Sequence, residues 1–136
     1  MDEERKIRIL MSKVGLDGHD RGLKVVSVLL RNEGFEVINL GRFQTAETIV
    51  SAAVQEDVDV IGLSILGDEY RIYVPRIIKL MKERGLNDVA FILGGVIPPD
   101  EIPKLKKAGV DEIFPSGTLL STISQDIRKL VEKRRE

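Results

Sequence analysis

The chain contains no cysteine, only one histidine and no long apolar run. Without cysteine it can form neither a disulfide nor a thiolate metal site, and one histidine cannot supply the ligand set of a zinc hydrolase. No apolar run approaches the roughly 20 residues that span a membrane, and the charged N-terminus lacks the apolar segment of a signal peptide. A net charge of −1 gives no indication of binding to nucleic acid or anionic lipid. We therefore expect a cytoplasmic protein whose residues 1–136 form one domain.

What the sequence does contain is an alternation of short apolar runs with segments of helical spacing. The apolar runs predict five strands, at residues 7–11, 35–40, 58–63, 89–93 and 112–114. The helical spacing predicts helices at residues 23–32, 46–54 (capped by Thr45), 70–84, 98–108 and 119–132. Helices that connect successive strands require parallel pairing. Five such units favour a doubly wound, flavodoxin-like α/β sheet of order 2-1-3-4-5, with helices on both faces.

In a sheet of this order, ligands bind beyond the carboxyl ends of the strands, near the first and third strands. The segments at this edge are Lys13 with the run Asp17-Gly18-His19-Asp20-Arg21-Gly22, then Ser64 to Glu69, Gly94-Gly95, and Ser116-Gly117-Thr118. They bring together glycines, hydroxyl groups and the only imidazole of the chain. We therefore expect the binding chemistry at this edge.

Several functions common in α/β folds lack their motif here. The sequence has no GxxxxGK[ST] phosphate loop and no GxGxxG dinucleotide fingerprint. A phospho-acceptor receiver domain needs acids after the first strand and an aspartate ending the third, where this chain has Ser12-Lys13 and Ser64. The several Ser, Thr and Asn residues of a flavin mononucleotide loop are also missing after the first strand. With these functions excluded, the distinctive feature of this edge is the single imidazole of His19, in the loop after the first predicted strand.

Three spaced motifs carry a specific resemblance to a known family. The patterns Asp17-x-His19-x-x-Gly22, Ser64-x-Leu66 and Gly94-Gly95 follow the DxHxxG…SxL…GG signature of cobalamin-binding domains in order and spacing. The strings KVGLDGHDRG, FQTAE and GGVIPPDE closely resemble the methylmalonyl-CoA mutase group. The resemblance extends from about residue 13 to residue 118, which is most of the chain.

The resemblance implies a role for each matching residue. His19 corresponds to the histidine that replaces the dimethylbenzimidazole tail as the lower axial ligand of cobalt. Asp17 corresponds to the acid that fixes the imidazole, and Lys13 to the lysine that pairs with this acid. The positions that bind the cofactor's nucleotide tail correspond to Gly22, Ser64, Leu66, Gly94 and Gly95, with Phe114, Gly117 and Thr118 at the far end of the crevice. Gly18, Asp20 and Arg21 complete the cofactor-binding run, although Asp20 and Arg21 also fit a helix N-terminus or a partner contact.

Within that crevice, the resemblance implies that Ser64 hydrogen-bonds the benzimidazole nitrogen. It implies that Gly94 and Gly95 leave room where a side chain would collide with the tail. One stretch departs from the family pattern. The mutases follow SxL with small residues, glycine and histidine, whereas this chain has Gly67-Asp68-Glu69-Tyr70, which we expect on the rim facing the cofactor or the partner.

The resemblance implies the cobalamin-binding small subunit of an adenosylcobalamin-dependent acyl-CoA mutase, most like methylmalonyl-CoA mutase, which interconverts methylmalonyl-CoA and succinyl-CoA. A barrel of eight strand–helix units needs roughly 250 residues. A separate large barrel subunit would therefore bind the acyl-CoA substrate, and this chain would be inactive alone. The alternatives are a corrinoid carrier for methyl transfer, the small subunit of another acyl-CoA mutase, and a module that senses cobalamin.

Overall fold

The computed structural model describes residues 5–14 and 21–135, and the predicted site residues Asp17, Gly18, His19 and Asp20 lie outside these ranges. Strands and helices alternate along the described chain. Their bounds are β1 Arg8–Val14, α1 Arg21–Asn32, β2 Glu36–Gln44, α2 Ala46–Glu56, β3 Val60–Ile65, α3 Tyr70–Glu83, β4 Ala90–Gly95, a 3₁₀ turn Pro99–Glu101, α4 Ile102–Ala108, β5 Glu112–Pro115 and α5 Leu120–Arg135. None of the helices in these ranges is long and apolar enough to cross a membrane.

The strands form one parallel sheet in the order β2-β1-β3-β4-β5. This confirms the predicted flavodoxin-like topology. Parallel strands place all their carboxyl ends at one edge, so the segments that follow β1, β3, β4 and β5 meet there. The order changes direction between β1 and β3, which is the switch point where such folds bind ligands.

Two apolar layers cover the sheet, one on each face. On one face the strands pack against α2, α3 and α4, with Ile49 and Val74 fully buried among them. On the other face they pack against α1 and α5, where Leu30 and Ile127 are buried. Because helices cover both faces, the central strand β3 is apolar almost throughout, which explains why its sequence shows a continuous apolar run.

Strand β1 extends three residues beyond its predicted end, and β2 extends from the predicted residue 40 to Gln44. The polar residues Ser12 and Lys13 ended the apolar run in the sequence, yet both are buried. The Ser12 hydroxyl donates to the Gly41 carbonyl oxygen at 3.3 Å. The register between β1 and β2 shifts on both sides of Ser12, so the strands continue pairing through an irregular segment that period-two alternation does not reveal.

Helix α2 begins where the sequence predicts, whereas α4 begins later than predicted. Thr45 caps α2 as predicted, because its Oγ1 accepts the Thr48 N–H at 3.1 Å while the Thr48 hydroxyl oxygen accepts the Thr45 N–H at 3.0 Å. The helix predicted at residues 98–108 instead begins as the 3₁₀ turn and becomes α-helical only at Ile102. Pro103 lacks an N–H, so it is tolerated in the first turn of α4 and not deeper in a helix.

Candidate functional site

A cavity of about 360 Å³ opens at the carboxyl edge of the sheet. Its floor is formed by strands β1, β3, β4 and β5, and the helices α1 and α5 contribute Val26, Leu30, Ile123 and Ile127 to its wall. The cavity therefore lies on the α1/α5 face, beside the switch point between β1 and β3. Its volume is within the range of roughly 300–1,000 Å³ that is usual for small-molecule sites.

The strand register decides which side chains reach this cavity. Residues that are neighbours in register point to the same face of a sheet, and side chains alternate between faces along each strand. The two rows that line the cavity are Met11, Gly62 and Ile92 and, one step nearer its mouth, Ser64, Gly94 and Phe114. The inner row is apolar, and the outer row carries the Ser64 hydroxyl, so the polar group lies at the mouth.

The sequence patterns did not reveal the apolar lining of the floor and wall of this cavity. Its members are Met11, Val26, Leu30, Gly62, Ile92, Ile123 and Ile127. Apolar residues at helix and strand spacing look the same whether they pack against protein or line a cavity, so only the fold separates the two. Gly62 was the one available signal, because a glycine inside a buried strand indicates a close approach. An ideal Cβ at Gly62 would lie 2.7 Å from the Met11 Sδ, so this glycine makes room for the methionine.

The adjacent glycines Gly94 and Gly95 have different structural reasons. Gly95 has φ +124°, and an ideal Cβ there would lie 2.1 Å from the Ile65 carbonyl oxygen. The backbone itself therefore requires glycine at this position. At Gly94 the nearest atom to an ideal Cβ is the Phe114 carbonyl oxygen at 3.7 Å, an ordinary contact. A side chain at Gly94 would fit the protein but would project into the cavity.

The far end of the cavity is closed by the turn that follows β5. The Thr118 hydroxyl donates to the Pro115 carbonyl oxygen at 2.6 Å, and the Thr118 N–H donates to the same oxygen at 3.1 Å. Gly117 has φ +94°, a left-handed conformation that favours glycine. Phe114, just before the turn, is buried against the floor.

Two further predicted residues lie at the cavity. Lys13 is almost completely buried near the end of β1 and lines the wall, which is unusual for a lysine. Leu66 lies at the mouth and is 47% exposed. Burial of Lys13 places a cation directly before the segment that carries the only histidine.

Eight of the fourteen predicted site residues line this one cavity. They are Lys13, Ser64, Leu66, Gly94, Gly95, Phe114, Gly117 and Thr118. Arg21 and Gly22 begin α1, which joins the cavity wall one turn later. Asp17, Gly18, His19 and Asp20 lie outside the described residues, so the axial ligand and its acid remain predictions.

Tyr70 is not on the rim, where the sequence suggested the stretch from Gly67 to Tyr70 would lie. Its side chain is 2% exposed at the start of α3, and burial raises the pKa of its hydroxyl. The hydroxyl donates to Glu101 Oε1 over a long contact of 3.4 Å, and the Arg71 guanidinium lies 5.4 Å from the ring centroid. Only Gly67, Asp68 and Glu69 of this stretch remain at the surface.

Solved structures share this fold at low sequence identity. A cobalamin-binding protein from Desulfitobacterium hafniense DCB-2 superposes with a TM-score of 0.80 at 23% identity, over 93% of this chain and 60% of that one. The receiver domain of the Francisella response regulator 1452 superposes with a TM-score of 0.72 at 10% identity, over 94% and 98%. At such identities the likeness describes the fold alone.

Sequence relatives are considerably more similar. The chain is 45% identical to the 2-hydroxyisobutanoyl-CoA mutase small subunit of Aquincola tertiaricarbonis, over 97% of both chains. It is 40% identical to the pivalyl-CoA mutase small subunit of Xanthobacter autotrophicus, over 96% of this chain and 88% of that one. It is 37% identical to the methylmalonyl-CoA mutase of Cereibacter sphaeroides, but spans only 19% of that protein. These relatives favour the predicted alternative, the small subunit of another acyl-CoA mutase, over methylmalonyl-CoA mutase.

The family model of the B12 binding domain matches residues 7–122. This range includes every strand of the sheet and all the residues that line the cavity except Ile123 and Ile127. The resemblance carried by the three motifs is thereby confirmed, and the chain belongs to the family of B12-binding domains.

Proposed function

We propose that this chain is the cobalamin-carrying small subunit of an adenosylcobalamin-dependent acyl-CoA mutase. The observation that carries the proposal is the apolar cavity at the carboxyl edge of the sheet, whose rim is built from the SxL and GG motifs. Membership of the B12-binding family and full-length similarity to two mutase small subunits support it.

The cavity fits the nucleotide tail of cobalamin. Dimethylbenzimidazole is a flat, mostly apolar bicycle with one exposed ring nitrogen that accepts a hydrogen bond. An apolar floor would receive the bicycle, and the Ser64 hydroxyl at the mouth is the donor that the nitrogen needs. Gly94 leaves the space above the floor open because its missing side chain would otherwise project there.

The run between β1 and α1 would hold the corrin from below. His19 is the only imidazole in the chain and is the residue that would ligate cobalt. In this proposal Asp17 fixes the imidazole tautomer and orientation, and the buried Lys13 neutralises and orients that acid. When bound, adenosylcobalamin supplies the radical chemistry, while the protein binds, orients and shields it.

A large catalytic subunit would supply the acyl-CoA site, since two relatives matched along nearly their whole length are small subunits. Three apolar side chains at the carboxyl edge, Leu66, Val96 and Leu119, are 47%, 54% and 70% exposed. Leu66 and Val96 line the mouth from which the cofactor would face the substrate, and Leu119 directly follows the turn that closes the cavity. We propose a branched acyl-CoA of the 2-hydroxyisobutanoyl class as the first substrate to test, with methylmalonyl-CoA second.

The first experiment measures binding of hydroxocobalamin and adenosylcobalamin to the wild-type chain and to H19A. The matched control is E33A, because Glu33 is exposed in the turn that follows α1. The cobalt(II) form is examined by EPR with nitrogen-15-labelled histidine. We expect histidine-nitrogen coupling in wild type and E33A, and its loss in H19A.

Binding with cobalt still held by benzimidazole would retain a cobalamin protein but reject His19 as the ligand. No binding by the wild type, alone or with a large mutase subunit, would reject the proposed function. Reconstituted mutase activity would separate it from a corrinoid methyl carrier, which would instead transfer the methyl group of methylcobalamin.

A further inference from the structure

The Glu101 carboxylate joins two separate segments of the cavity rim. Its side chain is 12% exposed, and its Oε1 forms an ion pair with Arg71 Nη1 at 2.9 Å and accepts a hydrogen bond from the Tyr70 hydroxyl at 3.4 Å. Its Oε2 is 3.4 Å from Lys104 Nζ. We call Tyr70, Arg71 and Glu101 the rim brace. Burying a carboxylate without such partners would destabilise the folded chain. The charges of Arg71 and Lys104 therefore stabilise Glu101 in this position.

The brace connects the rim segment after β3 with the rim segment after β4. Tyr70 and Arg71 begin α3, directly after residues 66–69, and Glu101 ends the 3₁₀ turn that follows residues 96–98. Closer to the sheet, the same two segments are joined by the Val96 N–H, which donates to the Ile65 carbonyl oxygen at 3.0 Å. Both segments contribute to the cavity mouth, through Leu66 and Val96.

The brace also explains the departure at Gly67-Asp68-Glu69-Tyr70. The Tyr70 side chain is buried and its hydroxyl donates a hydrogen bond to Glu101. Tyr70 is therefore absent from the surface that a partner would contact. What this stretch presents outward is a short exposed loop whose two ends are fixed, by β3 on one side and by the brace on the other. Fixing both ends reduces the conformational freedom that a ligand would otherwise have to remove.

We infer that the rim brace is a positioning device that holds residues 66–69 and 96–98 in the geometry that admits the cobalamin nucleotide tail. This inference rests on the proposed function. None of the three side chains lines the cavity, so they act through Leu66 and Val96 and not by contact with the cofactor.

The test compares E101Q and Y70F with D111N in the full chain. Asp111 is a matched carboxylate at the opposite edge of the sheet, where it accepts from the Phe91 N–H at 2.7 Å and from Arg134 Nη2 at 2.7 Å. For each variant we measure the dissociation constant of adenosylcobalamin, the thermal unfolding midpoint, and amide hydrogen exchange at residues 66–69 and 96–98 without cofactor. The Y70F/E101Q double variant completes a mutant cycle.

We expect E101Q to weaken cobalamin binding roughly fivefold, the size typical of losing one ordinary hydrogen bond, and to accelerate exchange in both rim segments. D111N is expected to lower the unfolding midpoint with no change in affinity. Non-additive losses of affinity in the Y70F/E101Q cycle would show that Tyr70 and Glu101 act on cobalamin binding through their mutual contact.

Equal affinities and equal rim exchange in E101Q and wild type, with a lower unfolding midpoint, would show that the brace is only structural and would overturn the inference. Failure of the wild type to bind cobalamin would instead count against the proposed function. Rim exchange measured without cofactor still decides in that case whether the brace orders the rim.

Discussion

An ideal Cβ on Gly95 lies 2.1 Å from the carbonyl oxygen of Ile65, closer than any real side chain could come. Gly95 also has a positive φ, so the position is strained for any other residue. We expect G95A to lower the free energy of unfolding by at least about 2 kcal/mol, measured by urea denaturation. The control is G67A, because Gly67 is exposed with no atom within 4 Å of an ideal Cβ. Equal stability of G95A and wild type would contradict this account.

Substitution of the neighbouring Gly94 should affect cobalamin binding more than stability. Its Cβ position is free of close contacts and faces the cavity, so G94A should fold with a free energy of unfolding within about 1 kcal/mol of wild type. G94V should weaken cobalamin binding by at least about tenfold, because the added methyl groups occupy the space of the tail. The measurement is titration with hydroxocobalamin, with E33A as the control, because Glu33 is exposed and does not line the cavity. Unchanged affinity of G94V would show that the tail does not enter this cavity.

The capping box of α2 gives a prediction about stability that is independent of the site. T45A removes the hydroxyl oxygen that accepts the Thr48 N–H, so we expect the free energy of unfolding to fall by about 1 kcal/mol. T45S keeps the cap and should remain close to wild type. Helix α2 covers the face opposite the cavity, so cobalamin affinity should be the same in both variants. A loss of affinity in T45A would indicate coupling between the two faces.

Tyr70 should make stability depend on alkaline pH. Burial raises the pKa of its hydroxyl in the folded chain, whereas the unfolded chain ionises it near the ordinary pKa of about 10. The neutral form is therefore favoured by folding, and the contribution is fully present below about pH 10 and is lost as the pH rises further. Guanidinium unfolding across this pH range should show a shallower decline for Y70F than for wild type. Identical declines would show that Tyr70 does not titrate differently on folding.

In the proposed function, the exposed apolar residues of the carboxyl edge contribute to docking of the large subunit. Leu119 is 70% exposed at the end of the turn that closes the cavity. We expect L119D to weaken association with a large mutase subunit by about tenfold or more, since a charge would be buried at the interface. Calorimetry or analytical gel filtration measures this. The control is V54D, because Val54 is 39% exposed near the end of α2 at the other edge; equal losses in both variants would argue against a specific docking edge.

The strand order was predictable because each apolar run alternated with a helical segment, which left few ways to build a sheet. For the same reason, the sequence could predict that Ser64, Gly94 and Gly117 lie at one edge of the sheet, where they line the cavity of the candidate site. The distinction between Gly94 and Gly95 was not predictable, because it depends on backbone angles and on the nearby Ile65 carbonyl. The inward position of Tyr70 depends on Glu101, which is 31 residues away in sequence.

The cavity is enclosed by α1 on one side and α5 on the other, so its walls come from the first and last helices of the described chain. A ligand held there contacts both of these helices at once. Because such a ligand binds only when both helices are in place, its binding free energy would be added to the global stability of the chain. The cofactor would then act as a non-covalent cross-link, and loaded chains would resist unfolding and proteolysis from either terminus better than empty ones.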